Sequence, residues 1–404
     1  MTTRSRQFVA EALSVAAAAA LLLAAIRVDR GWMGRHVTQL NLWPEPEVDT
    51  YVWWARAVLA TLGVLVLVVL RPLLTGFVRA ASIGRLAAST GMTLIAVAAS
   101  LVTVEGYQRW RESRGKPTRL THELFGVRHP RYGWIWTPSQ SVIEVVAGRD
   151  VHWIFNREGI RVPSKDHEPD PSAPTILFTG ESIAAGIGLE WPETYPALVA
   201  RHLGVQCVNL AANAYGSDQA YLRLVDFMPR FPRLVATVTL FLPVQLSRNL
   251  QDDKPRLVLG RSGALELVPA DTDFLSRLRV RKLFWNDLPY LGNGAIDRTL
   301  ALTSAILRET AARTRARGAT PVFVIVSYGP PRTLDQHPEA WIVRALFVQQ
   351  RLPFVLVDIP LDLRLNGDAH PGPRGSAKIA EAIEGVLGRG SVLPAEPSAT
   401  DSSQ

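Results

Sequence analysis

The chain has 404 residues, 48% of them hydrophobic, one cysteine and a formal charge of +8. One cysteine excludes an internal disulfide and a cysteine-rich metal site. Residues 1–120 hold 14 Lys/Arg against 7 Asp/Glu, so nearly all the excess charge lies there. The remainder is close to neutral, without the basic stripe that a nucleic-acid backbone needs, and no nucleic-acid partner is expected.

Three apolar runs occupy the basic part: residues 8–26 with "VAAAAALLLAAI" and only Glu11 as a charge, 52–74 with "LGVLVLVVL", and 86–104 with "GMTLIAVAASLVTV". Each is long enough to cross a hydrocarbon core of about 30 Å as a helix. Residues 1–108 are therefore expected to form a three-helix transmembrane region with the lipid bilayer as partner. No convincing signal-peptide cleavage site follows the first run. Arg4 and Arg6 before the first span direct the amino terminus inside, and three spans then put the following domain outside the cytoplasm. Arg109, Arg111, Arg114, Lys116 and Arg119 after the last span argue for the opposite orientation. The extracytoplasmic placement is the expectation adopted.

Residues 109–172 read as a linker and mixed β prelude. The aromatic and β-branched runs in "YGWIWTPSQSVIEVVAGRDVHWIFNREGIRVPS" predict short strands. From 173 to 390, strand and helix patterns alternate. Strands are predicted at "TILFTG", "QCVNL", "LVATVTLFL", "PVFVIVS" and "PFVLVDI", and helices at 193–202, 218–228, 299–317, 339–350 and 375–387. Five apolar strands separated by amphipathic helices imply an α/β domain with a five-stranded parallel sheet covered on both faces. Its reactive groups should gather at the carboxyl ends of the strands. An insertion at about 245–298 carries "RLVLGRSGALELVPA", which predicts a hairpin around Gly260 to Gly263. The polar tail, 391–404, reads as disordered.

The first strand ends in Gly180-Glu181-Ser182 at the start of a predicted helix. A serine hydroxyl is a weak nucleophile at neutral pH. It needs a neighbouring base, and a histidine base needs a partner to hold its tautomer. "NGDAHPGPRGSAKIAEAI" offers both after the fifth strand, in Asp368 and His370. The competing reading of Ser182 is a helix N-cap. His129, His152 and His202 lack the spacing of a metal site, and no phosphate-cradling glycine loop occurs, so neither metal nor cofactor is expected.

In these blocks the sequence resembles the SGNH (GDSL-like) hydrolase superfamily of serine esterases, lipases and acyl-modifying enzymes. The blocks are Gly180-Glu181-Ser182 followed by "IAAGIG", "VNLAANAYGSDQAYLRL" with Asn209, and "DAHPGPRGSAKIAEAI". The resemblance spans about residues 125–390 and implies a three-layer, flavodoxin-like domain. It implies Ser182 as nucleophile, His370 as base and Asp368 as its partner, with backbone N–H groups of Ser182 and Ala214 facing the oxyanion. There are departures. Glu181 replaces the usual Asp, and Ala214 replaces a usual Gly. The block after the third strand reads "TLFLPVQLSRNLQDD", so Val244 or Gln245 falls where relatives carry an oxyanion-binding Asn. Gln245 could donate its amide, and Asn249 and Asn213 are the fallbacks. The implied activity is cleavage of ester-linked acyl groups from a small molecule, a lipid or an envelope glycan. The alternatives are acyl transfer to a polysaccharide, or an inactive domain serving as a glycan-binding or assembly component.

Overall fold

The computed structural model describes residues 2–114, 126–273, 278–280 and 290–388, and the tail at 391–404 lies outside them. The chain divides into two compact units. One comprises Met1–Arg119 with Asp273–Tyr290, the other Leu120–Thr272 with Leu291–Gln404.

The first unit is helical: α1 (Thr3–Arg27), α2 (Arg30–His36), α3 (Glu45–Leu65), a π-helical turn (Val66–Leu70), α4 (Arg71–Ala80) and α5 (Ile83–Ser113). Three helical stretches, Thr3–Arg27, Glu45–Ala80 and Ile83–Arg111, are long and apolar enough to cross a membrane, and they contain the three runs expected from sequence. Phe8, Leu23, Met92, Leu94, Ile95 and Val102 stand exposed on them. A helix packed in a soluble core would bury such side chains, whereas a bilayer covers them. Small residues let α1 and α3 approach closely: Ala18 is fully buried, and a Cβ added at Gly63 would stand 2.9 Å from Leu22 Cγ. Glu11, the one charge of the first run, faces Arg71 at 3.8 Å.

The second unit is built on a sheet of order β11-β10-β7-β5-β6, with every pairing parallel. The strands are β5 (Thr175–Thr179), β6 (Gln206–Asn209), β7 (Leu234–Phe241), β10 (Thr320–Ser327) and β11 (Phe354–Asp358). These are the five expected strands. β5 is buried at every residue, which is why it reads as a continuous apolar run without alternation. The covering helices include α7 (Tyr195–Leu203), α8 (Ser217–Phe227), α10 (Asn293–Ala316) and α12 (Pro373–Leu387), and the short α11 (Ala340–Val343) precedes β11. α7 packs with α12, and α8 with α10. The strand order reverses at β5, and the right-handed crossovers that such connections follow put the two helix pairs on opposite faces of the sheet.

Two antiparallel hairpins precede the sheet: β1 (Gly126–His129) with β2 (Gly133–Trp136), and β3 (Ser141–Val146) with β4 (Arg149–Ile154). They belong to the same unit as the sheet. Trp136, Trp153 and Phe155 are buried with ring centroids 5.3–5.9 Å apart. A bridge from Arg161 to Asn209 carries the chain onto the end of β6. The predicted insertion hairpin is present as β8 (Arg256–Leu259) with β9 (Leu265–Val268).

Candidate active site

β5 leaves the sheet through Gly180, whose φ is +144° and whose missing Cβ would lie 2.7 Å from that of Leu240. Only glycine fits both the conformation and the space. The chain then enters the short helix α6 (Ser182–Ala185). Its N-cap is Glu181, whose Oε1 accepts the Ile183 amide at 3.2 Å. The capping task falls to Glu181, which leaves the Ser182 hydroxyl for other partners. Asn209 at the end of β6 donates Nδ2 to the Ala184 carbonyl at 2.7 Å and ties the second sequence block to this turn.

Arg161 fixes the far end of the turn. Its guanidinium donates to the carbonyls of Ala185, Gly186 and Leu189 and lies 3.8 Å from the Trp153 ring centre. Burial lowers its pKa to about 9, partly opposed by the negative charges of Glu190, Glu144 and Glu193. Four carbonyl dipoles, that of His152 included, and an aromatic face stabilise this charge in the interior.

After β11, a 3-10 turn (Leu361–Leu363) leads into a loop closed by two backbone bonds of 2.8 Å, Leu365 N–H to the His370 carbonyl and Gly372 N–H to the Leu363 carbonyl. This closure holds Asp368 and His370 at the sheet edge. Asp368 Oδ1 lies 2.6 Å from His370 Nδ1 and also accepts the His370 backbone N–H at 2.7 Å. His370 Nε2 lies 2.8 Å from Ser182 Oγ. A neutral ring donating from Nδ1 to the carboxylate presents a lone pair at Nε2 to the hydroxyl, the arrangement that serine activation requires. The structure thus brings Ser182, His370 and Asp368 together.

Two further residues join them. Ser182 Oγ donates to Glu181 Oε2 at 2.7 Å, and Arg248 Nη1 stands 3.2 Å from the same oxygen. Arg248 belongs to the short helix α9 (Gln245–Arg248) after β7. Burial pushes the Glu181 carboxyl up. Arg248, the charge of His370 and the bonds from Ser182 and Ile183 outweigh it and hold the pKa below the usual carboxylate value.

Ala214 sits at φ +59°, the left-handed region that glycine adopts without strain. The turn tolerates its Cβ because the prelude pins the loop on both sides. Trp134 Nε1 donates to the Asn213 carbonyl and Trp136 Nε1 to the Ala211 carbonyl, each at 2.9 Å, while the Tyr215 hydroxyl donates to the Trp134 carbonyl. Among the described residues, no acceptor meets the backbone N–H of Ser182 or Ala214. Gln245 is buried. Its Oε1 accepts the Ser217 hydroxyl at 2.8 Å and its Nε2 reaches the Leu240 carbonyl at 3.4 Å. Asn249 is engaged elsewhere, accepting from Asp218 N–H and donating to the Thr303 hydroxyl. His152 and His202 pair with Glu190 and Glu384, and His129 Nδ1 accepts the backbone N–H groups of Arg131 and Tyr132.

Arg248, in the block after the third strand, is with Asn249 and Asp252 a sequence candidate for shaping the mouth of the site, but no motif announces its pairing with Glu181. The prelude tryptophans had only the aromatic density of "YGWIW" as a signal.

No protein-family model matches the chain, and no curated protein does. Among solved structures, it is similar to an acetyl xylan esterase, Est2A, from the rumen bacterium Butyrivibrio proteoclasticus. The identity is 11% and the TM-score 0.31, over 55% of this chain and 65% of that one, a little under two thirds of its length. A second similar structure is described by the words "The active site of a carbohydrate esterase displays divergent catalytic and non-catalytic binding functions". There the identity is 13% and the TM-score 0.31, over 63% of this chain and 86% of that one.

Proposed function

We propose that this chain is a membrane-anchored serine hydrolase of the SGNH type that removes ester-linked acyl groups. Ser182 Oγ attacks the ester carbonyl as His370 Nε2 takes its proton, and Asp368 holds the ring and balances its charge. The tetrahedral oxyanion is met by the N–H groups of Ser182 and Ala214 and by the remaining amide N–H of Gln245. The imidazolium then protonates the departing alcohol. Water, deprotonated by the same ring, releases the acyl group from Ser182 as a carboxylic acid.

The observation that carries this reading is the unbroken contact from Asp368 through His370 to Ser182, at 2.6 and 2.8 Å. Among the described residues the backbone N–H groups of Ser182 and Ala214 have no acceptor, which supports their proposed role toward the oxyanion. Attachment to three apolar helices supports a substrate at the membrane, a lipid or an envelope glycan, and Arg4 and Arg6 before the first span favour a domain outside the cytoplasm.

The test is covalent labelling of the purified chain by a fluorophosphonate probe, which reports an activated serine without knowledge of the substrate. Wild type is expected to label. Ser182→Ala is expected to lose labelling and ester cleavage while its melting temperature stays close to wild type, because the cap is on Glu181. Labelling of Ser182→Ala at the wild-type rate would overturn the assignment. An inert wild type would favour a non-catalytic binding domain.

A further inference from the structure

We propose that Glu181 is a positioning residue that sets the pH range of the site by competing with His370 for the single proton of the Ser182 hydroxyl. This deepens the reading of Ser182 as nucleophile and rests on it. The hydroxyl has one hydrogen and two acceptors in reach, Glu181 Oε2 at 2.7 Å and His370 Nε2 at 2.8 Å. It can satisfy only one of them at a time.

When the hydroxyl donates to Glu181, its lone pairs face Nε2, and that contact is favourable only if Nε2 carries a proton. The chain Asp368–His370–Ser182–Glu181 is then fully bonded around a protonated ring between two carboxylates. That state is unproductive, because the ring has no lone pair to accept a proton and the serine hydrogen points away. Activation is the loss of one proton from the imidazolium to solvent, followed by rotation of the serine O–H from Glu181 to Nε2. No other bond breaks and no redox partner is needed.

The length of the side chain matters. One carboxylate oxygen of Glu181 caps α6 at Ile183 while the other reaches the hydroxyl. An Asp, one methylene shorter, could not hold both contacts from the same backbone position. The counterweight is Arg248, 3.2 Å from Glu181 Oε2, which draws off part of the carboxylate's charge.

Two tyrosines also feel the charge of Glu181. Tyr328, following β10, is kept neutral by burial, with the charges of Glu181 and Asp368 adding to that and Arg364 opposing it. The Arg364 guanidinium lies 4.5 Å from the Tyr328 ring centre. Tyr195 on α7 is likewise held neutral by burial and by Glu181. Glu181 is therefore the group whose neutral replacement most directly alters the balance on the serine proton.

The experiment measures p-nitrophenyl acetate turnover and the second-order rate of fluorophosphonate labelling, on the full chain in detergent, across about pH 5 to 9. In Glu181→Gln, which preserves shape and removes the charge, the acid limb of both profiles is expected to move to lower pH by about one unit, with KM unchanged. Glu181→Asp keeps the charge but not the reach. It should move the limb in the same direction by less, and it decides alone if the Gln variant does not fold. A Glu181→Gln protein slower by one common factor at every pH, with the limb in place, would mean that Glu181 is only a cap, and would overturn the proposal while leaving the nucleophile intact. Absence of labelling in wild type at every pH would overturn both.

Discussion

At the scale of single residues, the site departs from the resemblance at three positions, and the structure gives each a distinct physical setting. Glu181 both caps α6 and bonds the serine hydroxyl. Ala214 holds a backbone conformation that costs a residue with a Cβ about 1–2 kcal/mol. Gln245 is anchored by Ser217 and Leu240, so its substitution touches packing as well as chemistry. Gln245→Ala is expected to lower turnover about 10²-fold by removing one oxyanion donor. It should also cost about 1–3 kcal/mol by leaving the Ser217 hydroxyl without its acceptor. Thermal melts measured alongside initial rates separate the two effects. Turnover kept at the wild-type level with the melting temperature lowered would confine Gln245 to a structural role and leave the oxyanion to the two backbone donors.

At the scale of elements, the hairpins before the sheet shape the site that the sheet presents. The loop from 210 to 216 connects β6 to α8, and its conformation at Ala214 is unfavourable in isolation. Three bonds to the β1–β2 hairpin region, through Trp134, Trp136 and Tyr215, hold it in place. Trp134→Phe removes the indole donor to the Asn213 carbonyl and keeps most of the ring. It is expected to reduce kcat several-fold, with KM little changed and stability lowered by about 1 kcal/mol. A steady-state comparison with wild type checks this, and an unchanged kcat would show that the loop holds Ala214 without the indole. On the other side of the turn, Arg161 ties the end of α6 to Trp153, so the turn that carries Ser182 is also braced from the prelude.

At the scale of the whole molecule, two units with opposite surface chemistry share one chain. Exposed apolar side chains line the helices of the first, while the second buries its apolar residues within the sheet and its covering helices. The sequence order of the units is not simple, because Asp273–Tyr290, within the predicted insertion, groups with the helical unit. There the Val280 N–H donates to Glu105 at 3.0 Å, and the Tyr290 ring stacks on His36 at 5.4 Å. The chain is expected to remain with the membrane fraction after an alkaline carbonate wash and to require detergent for extraction. Release by carbonate would remove the basis for three spanning helices.

What the sequence alone determined follows from signals that are local. A strand buried on both faces needs a run dominated by apolar and β-branched residues, so 175–179 and 234–241 declared themselves. A spanning helix needs about twenty apolar residues, and three such runs were present. A hairpin needs glycine at a left-handed turn position, which Gly263 supplies at φ +78°. Ser182 and the Asp368–His370 pair stood out because the chemistry of each fits within a few residues. What only the tertiary structure decided depends on separations that no local pattern encodes. Ser182 and His370 are 188 positions apart and meet because β5 and β11 end at the same edge of one sheet. Arg248 reaches Glu181 across 67 positions, and Trp134 reaches the Asn213 carbonyl across 79. The cap of α6 went to Glu181 rather than Ser182 because the extended backbone at 181 aims the longer side chain at the Ile183 N–H. That left the serine hydroxyl between a carboxylate and an imidazole, a competition that exists only once the folded chain has brought both within hydrogen-bond distance.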